Sequence, residues 1–135
     1  MEHSNYIPLE IWDMIFDLLN LKTQISLIST CHYFRDNLKI TDLYYLKNDT
    51  KNKKNILKKL TTDILKLPIF LNTKWLNAVD NKKINNVSFM TNLKILNAYS
   101  YSFDTIDQNG IKGLNLVELD ARYNKKITNL TQLIY

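Results

Sequence analysis

Cysteine, glycine, proline and arginine are scarce in this chain, and each scarcity excludes something. One cysteine, Cys31, in 135 residues allows no internal disulfide and no Cys/His set for a structural zinc. Two glycines are too few for a phosphate-cradling loop, and Gly110-Ile111-Lys112-Gly113 reads as a turn. Two prolines and no low-complexity tract argue against a disordered chain. Arginine occurs only at Arg35 and Arg122, so the guanidinium forks favoured for phosphate recognition are nearly missing. No apolar run approaches the ~20 residues of a membrane helix. The opening Met1-Glu2-His3-Ser4-Asn5 lacks the basic start and apolar stretch of a signal peptide, so an intracellular location is expected. No acid pair, catalytic triad or metal set has useful spacing, so neither enzyme activity nor a cofactor is expected.

What is present is 45% hydrophobic and 23% charged, the balance of a folded chain with a real core. Asn (17), Lys (16) and Ile (15) together make 48 of the 135 residues, a bias that AT-rich coding would produce. The Asn-x-Ser/Thr triplets at Asn48, Asn86 and Asn129 read as chance products of that bias. The net charge of +5 is uneven: residues 1–45 sum to −3 and residues 46–135 to +8, which points to two functional parts. The densest cluster is Lys51, Lys53, Lys54, Lys58 and Lys59. Nucleic acid is one reading of it, but a solvated helix face is preferred.

Residues 7–19 carry Ile7, Ile11, Ile15, Leu18 and Leu19 at helical spacing, with Pro8 in the first turn and Asn20 as a stop. Leu9, Trp12 and Phe16 fall partly off that stripe and are expected to be exposed for docking. A second helix is expected over Thr23–Ser29, and a third through Cys31 to Leu38 with Cys31, Phe34 and Leu38 on one face. Cys31 is expected to be a buried structural thiol.

Ile7-Pro8, Glu10-Ile11, Ile15-Phe16, Leu19, Ser29-Thr30-Cys31 and Phe34-Arg35 resemble the F-box pattern without a gap. Ile7 stands for the usual Leu, Thr30 for Val, and His32-Tyr33 for a basic pair. The resemblance implies docking onto a Skp-type adaptor and, through it, a cullin–RING ubiquitin ligase. The adaptor contacts it implies are Pro8, Leu9, Ile11, Trp12, Ile15, Phe16 and Leu19, with Ile28, Cys31 and Phe34 holding the bundle together.

Ile56, Leu57, Leu60, Ile64 and Leu67 predict a basic amphipathic linker helix over 50–67, stopped by Pro68. Beyond it the chain repeats itself. Leu76-Asn77-Ala78 recurs as Leu96-Asn97-Ala98 and as Leu119-Asp120-Ala121, 20 and then 23 residues on. Asn81-Lys82-Lys83-Ile84 recurs as Asn124-Lys125-Lys126-Ile127. This resembles a leucine-rich repeat with Ala at an inward strand position. Asn81 and Asn124 are expected to point inward and satisfy backbone groups at the bend. The middle repeat departs, with Tyr101 at that position.

Strand alternation then sends three columns outward: Trp75, Ile95, Glu118; Asn77, Asn97, Asp120; and Val79, Tyr99, Arg122. These nine residues form the expected target-binding face, rich in the types that dominate interfaces. The expected architecture is α+β. An F-box-like three-helix bundle occupies residues 4–46, a linker helix 47–68, and a short solenoid of about three leucine-rich repeats 69–135. The expected function is a non-catalytic, substrate-recruiting ubiquitin-ligase adaptor. The alternatives are a scaffold outside the ubiquitin pathway and, less favoured, a nucleic-acid binder. F-box and repeat parts with this composition also resemble proteins encoded by giant viruses of amoebae, which implies host–virus interaction.

Overall fold

The structure is a computed structural model that describes residues 7–43, 58–102 and 105–130. The chain divides into two compact units, residues 1–38 and 39–135.

The first unit holds three short helices: α1 (Leu9–Leu18), α2 (Leu21–Ile28) and α3 (His32–Asn37). Pro8 stands just outside α1, and its carbonyl accepts the N–H groups of Ile11 (3.1 Å) and Trp12 (3.2 Å). A proline loses nothing there, because the first N–H groups of a helix have no internal partner. Leu19 is extended and ends α1. Asn20, expected as a stop, instead starts the next helix. Its side-chain oxygen accepts from the Thr23 N–H (3.0 Å) and hydroxyl (3.1 Å). Phe16, Leu21, Gln24, Ile28 and Leu38 are buried. The Gln24 amide donates to the Phe16 carbonyl at 2.8 Å, which satisfies a buried polar side chain and an end carbonyl of α1 together.

Two further sequence expectations fail in this unit. The buried stripe of α1 is not the isoleucine row. Phe16 is 1% exposed while Ile11 and Ile15 are exposed, and Trp12 is half-buried with its ring edge-on to Phe34 at 4.7 Å. Cys31 is an exposed free thiol. It occupies the extended residue before α3, where a side chain escapes the helix face that the spacing assumed.

The second unit is built on a four-stranded parallel sheet in sequence order: β1 (Asp42–Leu43), β2 (Trp75–Asn77), β3 (Ile95–Asn97) and β4 (Glu118–Asp120). Trp75, Ile95 and Glu118 are aligned across the sheet, as are Leu76, Leu96 and Leu119, and Asn77, Asn97 and Asp120. This is the register that the sequence self-similarity sets. Leu76, Ala78, Leu96 and Ala98 are buried, and Leu119 and Ala121 half-buried. Between strands, Ile84, Val87, Met90 and Leu93, then Ile106, Ile111, Leu114 and Leu116, complete the core. Burial of each such side chain contributes roughly 1.5–3 kcal/mol.

Asn81 and Asn124 are buried, as expected. Asn81 donates to the Leu60 carbonyl (3.1 Å) and accepts from the Lys83 N–H (2.9 Å). Asn124 donates to the carbonyls of Ile106 (3.0 Å) and Ala98 (3.3 Å) and accepts from the Lys126 N–H (3.0 Å). The residue before each asparagine, Asp80 (φ 48°) or Tyr123 (φ 61°), turns the chain through the left-handed region. The middle repeat bends differently, with Ser100 buried and Tyr101 exposed.

The linker helix is corrected. Its residues 50–57 lie outside the described residues, as do Lys51, Lys53 and Lys54 of the lysine cluster. From Lys58 on, the chain does not run as one helix. It breaks at Leu60-Thr61 and restarts as α4 (Thr62–Leu65), capped by the Thr61 hydroxyl on the Ile64 N–H at 3.1 Å. Leu60 is buried and its carbonyl is taken by Asn81, so it serves the sheet unit. A 3₁₀ turn at Pro68–Phe70 follows, and a second at Asn109–Ile111 precedes Gly113 (φ 80°). Residues 42 and 43, placed in the bundle part by the sequence, form β1, which pairs with β2 and belongs to the sheet.

Candidate docking surfaces

Helix α1 has two apolar stripes about half a turn apart. Leu9, Trp12 and Phe16 form the half-buried to buried one, with half-buried Leu19 just past its end. Ile11, Met14, Ile15 and Leu18 form the other and are exposed, Met14 to 66% and Leu18 to 87%. Glu10, Asp13 and Asp17 lie along the helix beside the second stripe, and all three are exposed. Of the seven residues expected at the adaptor contact, Pro8, Ile11 and Ile15 are exposed. Leu9, Trp12 and Leu19 are half-buried, and Phe16 is buried. Met14 and Leu18 belong to the exposed stripe and were not among the seven. Helical spacing alone would have added them.

The second surface is the outward side of the sheet. Trp75, Ile95 and Glu118 stand in one column, continued by Asp42 of β1. The next column is largely engaged in holding the backbone. Asn77, Asn97 and Asp120 each accept the N–H two residues on, from Val79 (3.1 Å), Tyr99 (3.1 Å) and Arg122 (3.2 Å). These turns end each strand in the same way, so asparagine or aspartate recurs there for a local reason. Arg122 closes on Asp120 with two bonds, Nε–Oδ1 at 2.9 Å and Nη2–Oδ2 at 2.8 Å. That contact holds the Asp120 carboxyl below its ordinary pKa.

Beyond the third column lies a cluster that column reasoning missed. The ring of Tyr99 meets those of Tyr101 (4.7 Å) and Tyr123 (5.4 Å) edge-on. Tyr101 and Tyr123 lie nearly parallel, 13° apart with centroids at 6.0 Å. They are 77% and 70% exposed. Arg122 sits over the Tyr99 ring at 5.6 Å. The Tyr99 hydroxyl is pushed up to about 12, first by desolvation and then by its hydrogen bond and charge interaction with Tyr101. Tyr101 lies two residues beyond Tyr99, and Tyr123 directly follows Arg122 of the third column, which is the signal that could have found them.

A cleft of about 530 Å³ lies among α4 and residues 83–89, lined by Thr62, Lys66, Lys83, Asn85, Ser88 and Phe89. The Thr62 hydroxyl is engaged with Asn85, donating to its side-chain oxygen (3.0 Å) and accepting its backbone N–H (3.0 Å). Among the described residues, no three His, Cys, Asp or Glu side chains are grouped to hold a metal. No described helix is long and apolar enough to cross a membrane.

No curated protein and no solved structure matches the chain. Comparison with known protein families finds an F-box domain over residues 6–45, a span that covers all three helices and β1. An F-box domain points to an adaptor in Skp-type ubiquitin-ligase complexes, and such proteins are typically non-catalytic.

Proposed function

We propose that the chain is the substrate-recruiting subunit of a Skp–cullin–F-box type ubiquitin ligase. The observation that carries this reading is the coincidence of the F-box match with an exposed apolar stripe on α1. Ile11, Ile15 and Pro8 would lie against the adaptor, joined by Met14 and Leu18. Leu9, Trp12 and Leu19 would contribute their exposed edges, and Phe16 would hold the helix in place. A helix that lays an apolar face into a hydrophobic groove is a general mode of recognition.

The second unit would hold the target protein on short leucine-rich repeats. Support comes from the in-register parallel strands, the left-handed residues at Asp80 and Tyr123, and the buried asparagines that follow them. The target would lie on Trp75, Asn77, Val79, Ile95, Asn97, Tyr99, Glu118, Asp120 and Arg122. The chain then works by proximity, raising the effective concentration of target at the ligase. It would act in the cytoplasm or nucleus of a eukaryotic cell, a host cell on the giant-virus resemblance.

The test is a pull-down of purified Skp-type adaptor by the full chain. The wild type should retain the adaptor, and the Pro8→Ala plus Ile15→Asp variant should lose it while keeping its helical circular dichroism. Equal retention by both overturns the reading.

A further inference from the structure

The strands of the second unit carry charge of one sign. Among the described residues, their charged side chains are Asp42, Glu118 and Asp120, with no lysine or arginine, although the chain as a whole is +5. Among the described residues, the lysines of 46–135 lie outside the strands. Lys66 and Lys83 line the cleft beside α4, and Lys94 Nζ reaches the Asn115 carbonyl at 3.4 Å. Lys74, exposed, and Lys94, half-buried, directly precede β2 and β3 and lie outside the strands. Arg122, in the third column of the face, is paired with Asp120.

The tyrosine cluster adds a second kind of cation attraction at the end of the same face. The face of an aromatic ring draws Lys and Arg, and Arg packs flat on it. Arg122 over Tyr99 shows that this cluster accommodates a guanidinium. The rings of Tyr101 and Tyr123 remain mostly in solvent. The Asp80 carboxylate lies beside them, accepting the Tyr101 N–H at 2.8 Å.

We infer that the target is held through a basic, extended segment. Its Lys or Arg side chains would pack on Tyr101 and Tyr123, and its remaining positive charge would run along the Glu118 side of the sheet. The inference rests on the proposed role of the sheet face and names the chemistry that the face selects. Residues 46–135 sum to +8, so the rest of that part of the chain repels such a segment away from the face.

Fluorescence anisotropy with the full chain tests this, using three labelled peptides of equal length that alternate Ser with Arg, Glu or Leu. The Arg peptide should bind best. Tyr101→Ser with Tyr123→Ser should weaken it about five- to tenfold, the size expected for two exposed cation–ring contacts. Glu118→Lys should weaken it further, and an Asn109→Ser control should not. A preference for the Glu or Leu peptide that Trp75→Ala abolishes would keep the sheet face and overturn the basic segment. Arg-peptide binding indifferent to all face variants would overturn both. Self-association that depends on Tyr101 and Tyr123, seen by sedimentation, would assign the cluster to a second copy and overturn the inference as well.

Discussion

Asn124 shows how much one side chain can hold. Its amide meets two carbonyls and one N–H from a buried position. Asn124→Ala leaves those groups unmatched, and the expected loss is about 2–4 kcal/mol in urea unfolding. Gly110 is constrained by space instead. A Cβ there would lie 2.6 Å from the Asn85 carbonyl oxygen, a backbone atom that cannot swing away. Gly110→Ala should therefore destabilise by about 1–3 kcal/mol, measured in the same way. Tyr99 offers a titration. A folded Tyr99 holds its proton up to about 12, against 10.0 for an ordinary tyrosine. Its contribution to stability is thus complete below pH 10 and declines as pH rises towards 12. Ultraviolet titration should show one tyrosine ionising late, and Tyr101→Phe should bring it down. Asp120 has the opposite sign. Its lowered pKa gives stability that is present above 3.8 and lost as pH falls through the folded value, an effect Arg122→Gln should remove. At this scale the buried asparagines are legible, because they repeat at one phase of the sequence. The left-handed Tyr123 is not, because nothing in a tyrosine announces positive φ.

Among the elements, α1 is the instructive one. Periodicity finds its apolar positions but cannot say which of two stripes faces inward, since both are apolar. The packing partners decide it: Phe34 against Trp12, and Gln24 on the Phe16 carbonyl. The two stripes should separate under mutation. Phe16→Ala should cost about 3–5 kcal/mol of stability, whereas Met14→Ser and Leu18→Ser should stay within about 0.5 kcal/mol. Thermal and urea unfolding followed by circular dichroism will show whether they do. The linker illustrates the converse limit. Ile56 to Leu67 keeps a helical period, yet Thr61 caps a new helix and Leu60 gives its carbonyl to Asn81, a partner 21 residues away. Local pattern cannot foresee a distant amide. The strand register is legible for the opposite reason. Repeated Leu and Ala positions bury the same face each time, and a one-residue slip would expose them all.

For the molecule as a whole, the charge asymmetry of the sequence acquires a place. The acidic first 45 residues coincide with the F-box match and include β1, and the basic remainder supplies β2, β3 and β4, in which the charged residues are Glu118 and Asp120. Chain-wide net charge is a poor guide to either surface. Calorimetric titration of the full chain with a purified Skp-type adaptor tests the central claim most directly. Saturable one-to-one binding is predicted for the wild type, weakened at least about a hundredfold by Ile11→Asp with Ile15→Asp. The same titration should be unchanged by Tyr101→Ser with Tyr123→Ser. No binding by the wild-type chain, or full affinity in the stripe variant with its fold intact, would contradict the account.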